Sequence, residues 1–470
     1  MKILFVMQDV DYYPPLGLMQ LSAIAKTLGH ETRLLVLSRT DPLEPIIKYS
    51  PDIVCYGGST GEHKFYVAFN KAFRIMFPKV ISVIGGPHAT FFPEVQQQGK
   101  FDVLIQGEGE MGFLKYLSDT AGPRDCRIYY AADIVEDLDT LPFPDRELFY
   151  DNPLTLETGQ SGTKHFQVSR GCPYICSYCY SAGLRAMYRG KKYVRRHSVD
   201  YVLAEIAAVR AKYPLNAIKF YDDIFTYKVD DWLEEFCDRY PKEVGLPFFT
   251  LTRFDLLTDE MARLLKSAGC RALQMSIESV NERIRNGFLF RNMSLDQIRN
   301  AYAICKKHGI IVVQNCIIGL PTSTLRDEKD AINFVVDNYG KGYTDFPIYQ
   351  PYPKTPLGES CIAMNIYDGD YENIHLSYGH HSVLSCFDKK YKNILRNLAV
   401  LGTVACRYPW TKWLILNVLI YLPYNRLFFM AFYLTKMAYH AKYIYRYKHS
   451  LKEWWRLICK SLRVESQKRF

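Results

Sequence analysis

The chain has 470 residues, 48% of them hydrophobic and 23% charged, which excludes a disordered or collagen-like protein and leaves room for two to four domains. Thirteen cysteines, an odd number at low density, exclude a disulfide scaffold and fit a reducing compartment. The net charge is +10, but residues 391–470 hold 15 Lys or Arg against only Glu453 and Glu465, so the basic character belongs to the tail.

The first apolar stretch, Ile3 to Met7, is too short for a secretory signal, and a cytoplasmic location is expected. Up to about residue 120 short apolar runs alternate with helical periodicity. Strand candidates are Lys2 to Met7, Glu31 to Leu37, Asp52 to Tyr56, Lys79 to Ile84 and Asp102 to Ile105, with helices around 17–28, 64–77 and 109–117. This predicts an α/β fold whose first domain, 1–125, is a doubly wound, Rossmann-like (flavodoxin-like) parallel sheet. Ligands of such sheets sit beyond the carboxyl ends of the strands. Gly57, Gly58 and Gly61, then Gly85 and Gly86, then Gly107 and Gly109 follow three successive strands there. Any one group reads as a tight turn; three in register favour a nucleotide-tailed or similarly bulky ligand.

Asp137, Asp139, Pro142, Pro144 and Asp145 break the rhythm, and a linker is expected over 126–162. Strand and helix then alternate again over 163–352. Ser198 precedes a helix carrying Val202, Ile206 and Val209; Ala217 to Tyr221 and Phe248 to Thr252 read as strands; Thr258 caps a helix that Gly269 closes. Ser294 with Gln297 forms a capping box, Gly309 ends that helix, and Ile310 to Ile318 returns to strand. Such repetition predicts a full or partial parallel barrel with its active site at the carboxyl ends of the strands.

Residues 353–470 read as a basic, aromatic-rich helical domain holding Trp410, Trp413, Trp454 and Trp455. Its longest uncharged stretch, Trp413 to Asn425, would cover roughly 20 Å as a helix, short of a bilayer's hydrocarbon core, and Pro423 interrupts it. Three readings stay open: a helix lying in a membrane interface, a helical cap on the barrel, and a dock for an acidic protein. The long apolar runs argue against a nucleic-acid partner.

The most informative stretch is Ser169-Arg170-Gly171-Cys172-Pro173-Tyr174-Ile175-Cys176-Ser177-Tyr178-Cys179-Tyr180. Three thiols within eight residues can converge on one inorganic centre if the loop wraps around it. A four-iron four-sulfur cluster normally takes four thiolates, so a triplet leaves one iron open to a ligand. The alternatives are zinc or three unligated thiols. Structural zinc sites usually show separated pairs, and His165 and His197 lack a finger's arrangement.

The CxxxCxxC spacing, with the aromatic Tyr178 before the third cysteine, resembles the radical S-adenosylmethionine superfamily. Phe220-Tyr221-Asp222-Asp223-Ile224-Phe225-Thr226 is similar to the family's second-strand motif, Ser276-Ile277-Glu278-Ser279 to its fourth-strand motif and Ile318-Gly319-Leu320-Pro321-Thr322 to its fifth-strand turn. Pro351-Tyr352-Pro353-Lys354-Thr355-Pro356 is similar to the barrel's exit segment. Upstream, Gly85-Gly86-Pro87-His88-Ala89-Thr90 and Gly107-Glu108-Gly109-Glu110 resemble the subgroup that pairs a cobalamin-binding domain with this barrel, as B12-binding radical methyltransferases and the anaerobic magnesium-protoporphyrin ester cyclases do.

The resemblance implies a [4Fe-4S] cluster on Cys172, Cys176 and Cys179. It also implies S-adenosylmethionine chelated to the open iron and cleaved reductively to a 5′-deoxyadenosyl radical in a shielded site. Tyr178 would border the adenine, Asp222 or Asp223 the ammonium, and Ser276 or Glu278 the methionyl or ribose hydroxyls, with Gly319 and Pro321 nearby. For cobalamin, Gly57, Gly58, Ser59, Thr60, Gly85, Gly86, Pro87, His88, Gly107, Glu108 and Gly109 are the implied contacts. The DxHxxG motif of cobalt-ligating domains is absent: His30, His63 and His88 all lack its Asp and Gly. The implied activity is methylation of an unactivated carbon, and the interfacial character of the tail adds the expectation of a lipid, terpenoid or porphyrin-like substrate. Radical ring closure or carbon–carbon coupling without cobalamin, and a non-catalytic iron–sulfur sensor, stand as alternatives. The implied partners are a flavodoxin or ferredoxin, an apolar small molecule or lipid, and a peripheral membrane surface.

Overall fold

The computed structural model describes residues 1–10, 13–119, 127–130, 134–340, 342–352, 354–374, 381–444, 455, 458–459, 461–462 and 466. Pro353 and Trp454, named above, lie outside the described residues, as do 126 and 131–133 of the expected linker. The chain divides into two units: residues 1–161 with 184–197 and 208–214, and residues 162–183 with 198–207 and 215–470.

In the first unit six strands form one parallel sheet: β1 (Lys2–Met7), β2 (Glu31–Val36), β3 (Ile53–Gly57), β4 (Ile81–Gly85), β5 (Val103–Gln106) and β6 (Arg127–Tyr130). Their order is β2-β1-β3-β4-β5-β6, with β1 the point where the winding reverses. The central strands are near-continuous apolar runs because both faces are covered; β1 buries Ile3 to Met7 in full. One face packs Phe5, Cys55 and Ile105 against α1 (Leu16–Thr27), and the other packs Val6, Val54 and Ile84 against the helix His63–Met76. Leu148, Phe149 and Tyr150 join the first of these cores. Much of the expected linker is therefore part of the domain's packing: the prolines end elements without freeing the chain.

The second unit is built on a second six-stranded parallel sheet: β7 (Thr163–Phe166), β8 (Ala217–Phe220), β9 (Phe248–Leu251), β10 (Cys270–Glu278), β11 (Ile311–Cys316) and β12 (Tyr343–Asp345), in sequential order. Such an order with crossover helices is a partial barrel. The capping box at Ser294 and Gln297 is formed, and Gly309 closes its helix at φ 63°, in the left-handed region glycine favours. Strand β7 ends at Phe166, because Val168 and Ser169 turn their amides onto the Asp222 carboxylate.

The carboxyl-terminal helices belong to this unit. Helix Lys389–Arg407 presses Gly402 against Phe346 and donates from Thr403 Oγ1 to the Thr344 carbonyl of β12 at 2.7 Å. The stretch Trp413 to Asn425 is not one helix: Lys412–Asn417 ends at Val418, a 3₁₀ turn covers Leu419–Tyr421, and helix Arg426–Tyr439 starts with Asn425 as its cap. No helix among the described residues is long and apolar enough to cross a membrane.

Candidate active site

The glycine turns of the first unit surround a cavity of about 370 Å³ at the carboxyl ends of β1, β3, β4 and β5, within the range of small-molecule sites. Gly57, Gly85, Gly86, Pro87, Gly107 and Gly109 line it with Leu18 and Leu21 of α1, Tyr66 and Phe113. Its shape depends on missing side chains. A Cβ on Gly86 (φ 91°) would stand 2.9 Å from the Gly58 nitrogen, and one on Gly57 would stand 3.0 Å from Leu18. The turns are zipped together by Gly58 N donating to Gly85 O (3.2 Å) and His88 N donating to Gly58 O (3.0 Å).

The other residues named for this ligand do not line the cavity; they brace the turns around it. Ser59 bonds Glu62 through both its amide and hydroxyl, and Thr60 Oγ1 lies 3.1 Å from His88 Nδ1. His88 stacks on His63 with ring centroids 3.7 Å apart, and burial first, then His63, pull its pKa down to about 3. Glu108 is paired with the buried Arg195, and its amide meets the Tyr188 hydroxyl. Among the described residues no histidine lines the cavity.

In the second unit the cysteine loop leaves β7, passes Gly171 at φ 82°, and enters a helix at Tyr180. It is pinned in mid-course: Ser177 N donates to Leu289 O (3.2 Å), and Leu357 N donates to Ser177 O (2.9 Å). The Cys179 amide closes a turn onto Cys176 O at 3.1 Å. Cys176 is buried, while Cys172 and Cys179 are partly exposed. Burial pushes the Cys172 thiol up to about 11 and raises that of Cys179, with the Asp223 carboxylate adding to both. Among the described residues no three His, Cys, Asp or Glu side chains are grouped as a single-ion site. A cubane makes no such demand, since each thiolate ligates a different iron.

Two acidic residues follow β8. Asp222 Oδ1 accepts from Val168 N (2.9 Å), Ser169 N (2.6 Å) and Ser169 Oγ (2.7 Å), yet its buried Oδ2 has no hydrogen-bond partner among the described residues. Burial raises its pKa to about 7 against those bonds. The Asp223 carboxyl is also raised by burial, with Ser181 opposing the shift, and it lies beside Cys172 and Cys179.

Across the loop, β10 ends in a bulge between Ser276 and Glu278, and Glu278 takes φ 65°, a strained value for a residue with a side chain. Glu278 accepts from the Tyr178 hydroxyl at 2.8 Å, and burial is the main cause that raises its pKa. Gly319 is differently employed: its amide donates to the buried Glu328 at 2.9 Å, and a Cβ there would stand 2.8 Å from Leu395. Gly319 thus shapes the turn that ends in Leu320 and Pro321.

The sequence reading missed two arginines. Arg253, just after β9, and Arg291 each direct Nη1 at Cys176 Sγ, at 3.7 and 3.8 Å. The position of Arg253 at the carboxyl end of a barrel strand was the available signal; Arg291 sits in a loop that carries none.

The sequence matches the Radical SAM superfamily over residues 166–335 and the B12 binding domain over residues 6–116. The chain carries a radical SAM domain and a B12-binding domain. An uncharacterized methyltransferase of Pyrococcus horikoshii is 27% identical over 75% of this chain and 79% of its own length. The anaerobic magnesium-protoporphyrin IX monomethyl ester cyclase of Synechocystis is 25% identical over 64% of each chain. The fold is also that of the radical S-adenosylmethionine methyltransferase TsrM from Kitasatospora setae, solved with cobalamin and a [4Fe-4S] cluster: TM-score 0.60, 16% identity, 88% of this chain and 98% of that one.

This chain is an enzyme, and the cofactors of its two domains are a [4Fe-4S] cluster with S-adenosylmethionine, and cobalamin. The residues present fit them. Three thiols on one pinned loop suit a cluster, the orphaned Asp222 Oδ2 suits a cationic group, and the cavity walled by glycine turns suits a bulky tail.

Proposed function

We propose that this enzyme methylates an unactivated carbon of an apolar small molecule. The supporting observation is that one chain holds both a glycine-walled cavity in a B12-type domain and a three-thiol loop at the carboxyl end of a partial barrel. When bound, the cluster supplies an electron to S-adenosylmethionine, and cobalamin carries a methyl group.

The chain's own residues do the rest. Cys172, Cys176 and Cys179 hold the cluster, and the loop's bonds through Ser177 keep them in place. Asp222 Oδ2 receives the ammonium of S-adenosylmethionine while Ser169 fixes Oδ1; Asp223 faces the same group from the cysteine side. Tyr178 walls the adenine with its hydroxyl tied to Glu278, whose carboxylate and the neighbouring Ser276 face the ribose. Gly57, Gly85, Gly86, Pro87, Gly107 and Gly109 admit the cobalamin tail, and Gly58, Ser59, Thr60, His88 and Glu108 hold those turns.

The apolar character of the substrate is inferred from the tail. Trp410 (83% exposed), Trp413 and Leu414 stand out on consecutive turns, and Leu427, Met430 and Leu434 form an exposed stripe on helix Arg426–Tyr439. Apolar side chains at helical spacing among Lys and Arg suit an anionic membrane interface, where such substrates reside. The enzyme would thus work in the cytoplasm, peripherally on a membrane, with a flavodoxin or ferredoxin as reductant.

Anaerobic reconstitution with iron, sulfide and hydroxocobalamin, followed by a low-potential reductant and S-adenosylmethionine, tests this reading. Formation of 5′-deoxyadenosine and S-adenosylhomocysteine with bound corrin is the expected result. Deoxyadenosine alone would redirect the reading to ring closure or coupling, and neither product from a loaded cluster would overturn it. Cys172→Ala should lower deoxyadenosine to background.

A further inference from the structure

The cysteine triplet sits in an uneven electrostatic setting. Cys176 faces two guanidinium groups, Arg253 Nη1 at 3.7 Å and Arg291 Nη1 at 3.8 Å, within the range of N–H···S bonds. Cys172 and Cys179 instead have the Asp223 carboxylate as their charged neighbour. Both arginines are 6% exposed, so water does little to screen them.

Each is also held rigidly. Arg253 forks onto Asp255 (2.9 and 3.0 Å), donates to the Arg291 carbonyl at 2.6 Å, and lies over the Tyr174 ring at 3.7 Å. Arg291 donates to the Ser276 carbonyl at 2.6 Å and approaches the Tyr178 hydroxyl at 3.4 Å. Two flexible side chains fixed onto one sulfur by six other contacts are a costly arrangement if Cys176 needed only to be buried.

We propose that Arg253 and Arg291 are a paired positioning clamp on the Cys176 thiolate that sets the cluster's reduction potential, resting on the cluster assignment above. One-electron reduction adds a negative charge to the cluster without making or breaking a bond; the electron comes from the low-potential reductant. Fixed positive charge and N–H···S bonds at one ligand sulfur favour the more negative, reduced state. Asp223 on the other side opposes it. The two arginines thus raise the potential and Asp223 lowers it.

The test is a redox titration of the full-length, anaerobically reconstituted protein without S-adenosylmethionine, followed by electron paramagnetic resonance of the reduced cluster, with iron and sulfide assayed in each sample. Arg253→Gln and Arg291→Gln should each lower the reduced-to-oxidised ratio at a fixed potential about tenfold, equal to about 59 mV for one electron. Arg253→Lys and Arg291→Lys, which keep the charge and lose the fork, should fall between these and the wild type. Asp223→Asn should move the potential the opposite way. An unmoved potential in the Gln variants at full iron content overturns the proposal. If a Gln variant holds no iron, its Lys variant decides: a wild-type potential overturns the proposal, and a lowered one supports it. A wild-type protein that forms no four-iron cluster would instead sink the cluster assignment, a distinguishable failure.

Discussion

Tyr178 donates its phenolic hydrogen to Glu278 Oε1 across 2.8 Å, joining the residue before the third thiol to the strained bulge at the end of β10. The bond gives a buried carboxylate a donor and fixes the ring that walls the loop. Tyr178→Phe should keep the ring and lose the donor. Leaving a buried acceptor short of one partner costs about 1–3 kcal/mol. Urea denaturation of the apo chain should show that loss, while iron uptake by the three cysteines should persist.

Asp222 makes binding depend on pH. Its carboxyl ionises at about 7 in the folded chain, against a reference value of 3.8. A carboxyl raised in this way stabilises the fold fully below about pH 4, and that contribution is lost as the pH rises through 7. Binding of an ammonium runs the other way, since it needs the carboxylate. Affinity for S-adenosylmethionine should therefore fall up to about tenfold per unit below pH 7, and Asp222→Asn should flatten both profiles. Calorimetric binding from pH 5.5 to 8.5 would expose a wild-type profile that is already flat.

Two glycines around the cavity should answer differently to one methyl group. At Gly86 the added carbon meets backbone at 2.9 Å and the φ of 91° is unfavourable for alanine, so Gly86→Ala should cost at least about 1–2 kcal/mol and abolish corrin binding. Gly17, inside α1, has nothing within 4 Å of such a carbon, and Gly17→Ala should stabilise by up to about 1 kcal/mol. Equal effects at the two positions would contradict the zipped-turn geometry.

The exposed stripe predicts adhesion to lipid. Vesicles containing phosphatidylserine should sediment the wild-type chain, less so at high salt as the Debye length shortens. Leu427→Ser combined with Leu434→Ser should weaken binding at least fivefold, as should Trp410→Ser with Trp413→Ser. Sedimentation unchanged by both pairs would argue for a protein partner or none.

Five strands of the first sheet, and Ala217–Phe220, Phe248–Leu251 and Ile311–Cys316 of the second, were legible because parallel strands buried on two faces are largely apolar, as β1 and β3 are; Arg127–Tyr130, Cys270–Glu278 and Tyr343–Asp345 were not. The caps at Thr258 and Ser294 were legible because capping is local. The thiol triplet was legible through spacing alone. What local pattern could not give was the use of each residue in space. Glu108, expected at the ligand, also pairs with Arg195, and Gly319, expected at S-adenosylmethionine, also packs against Leu395, 76 residues further along the chain. Arg291 has no periodicity or motif around it, and its meaning arises only when the chain folds it back 115 residues onto Cys176.

The close approach of Gly58 and Gly86 constrains how this cavity could ever be remodelled. Where two main chains abut with no room for a methyl group, that wall is fixed by covalent geometry and offers no position at which a substitution could widen or reshape it. The lining also includes Leu18, Leu21 and Phe113, side chains on helices that tolerate exchange. Divergence among such domains in what they admit should therefore accumulate at lining side chains such as these and not at the abutting glycines.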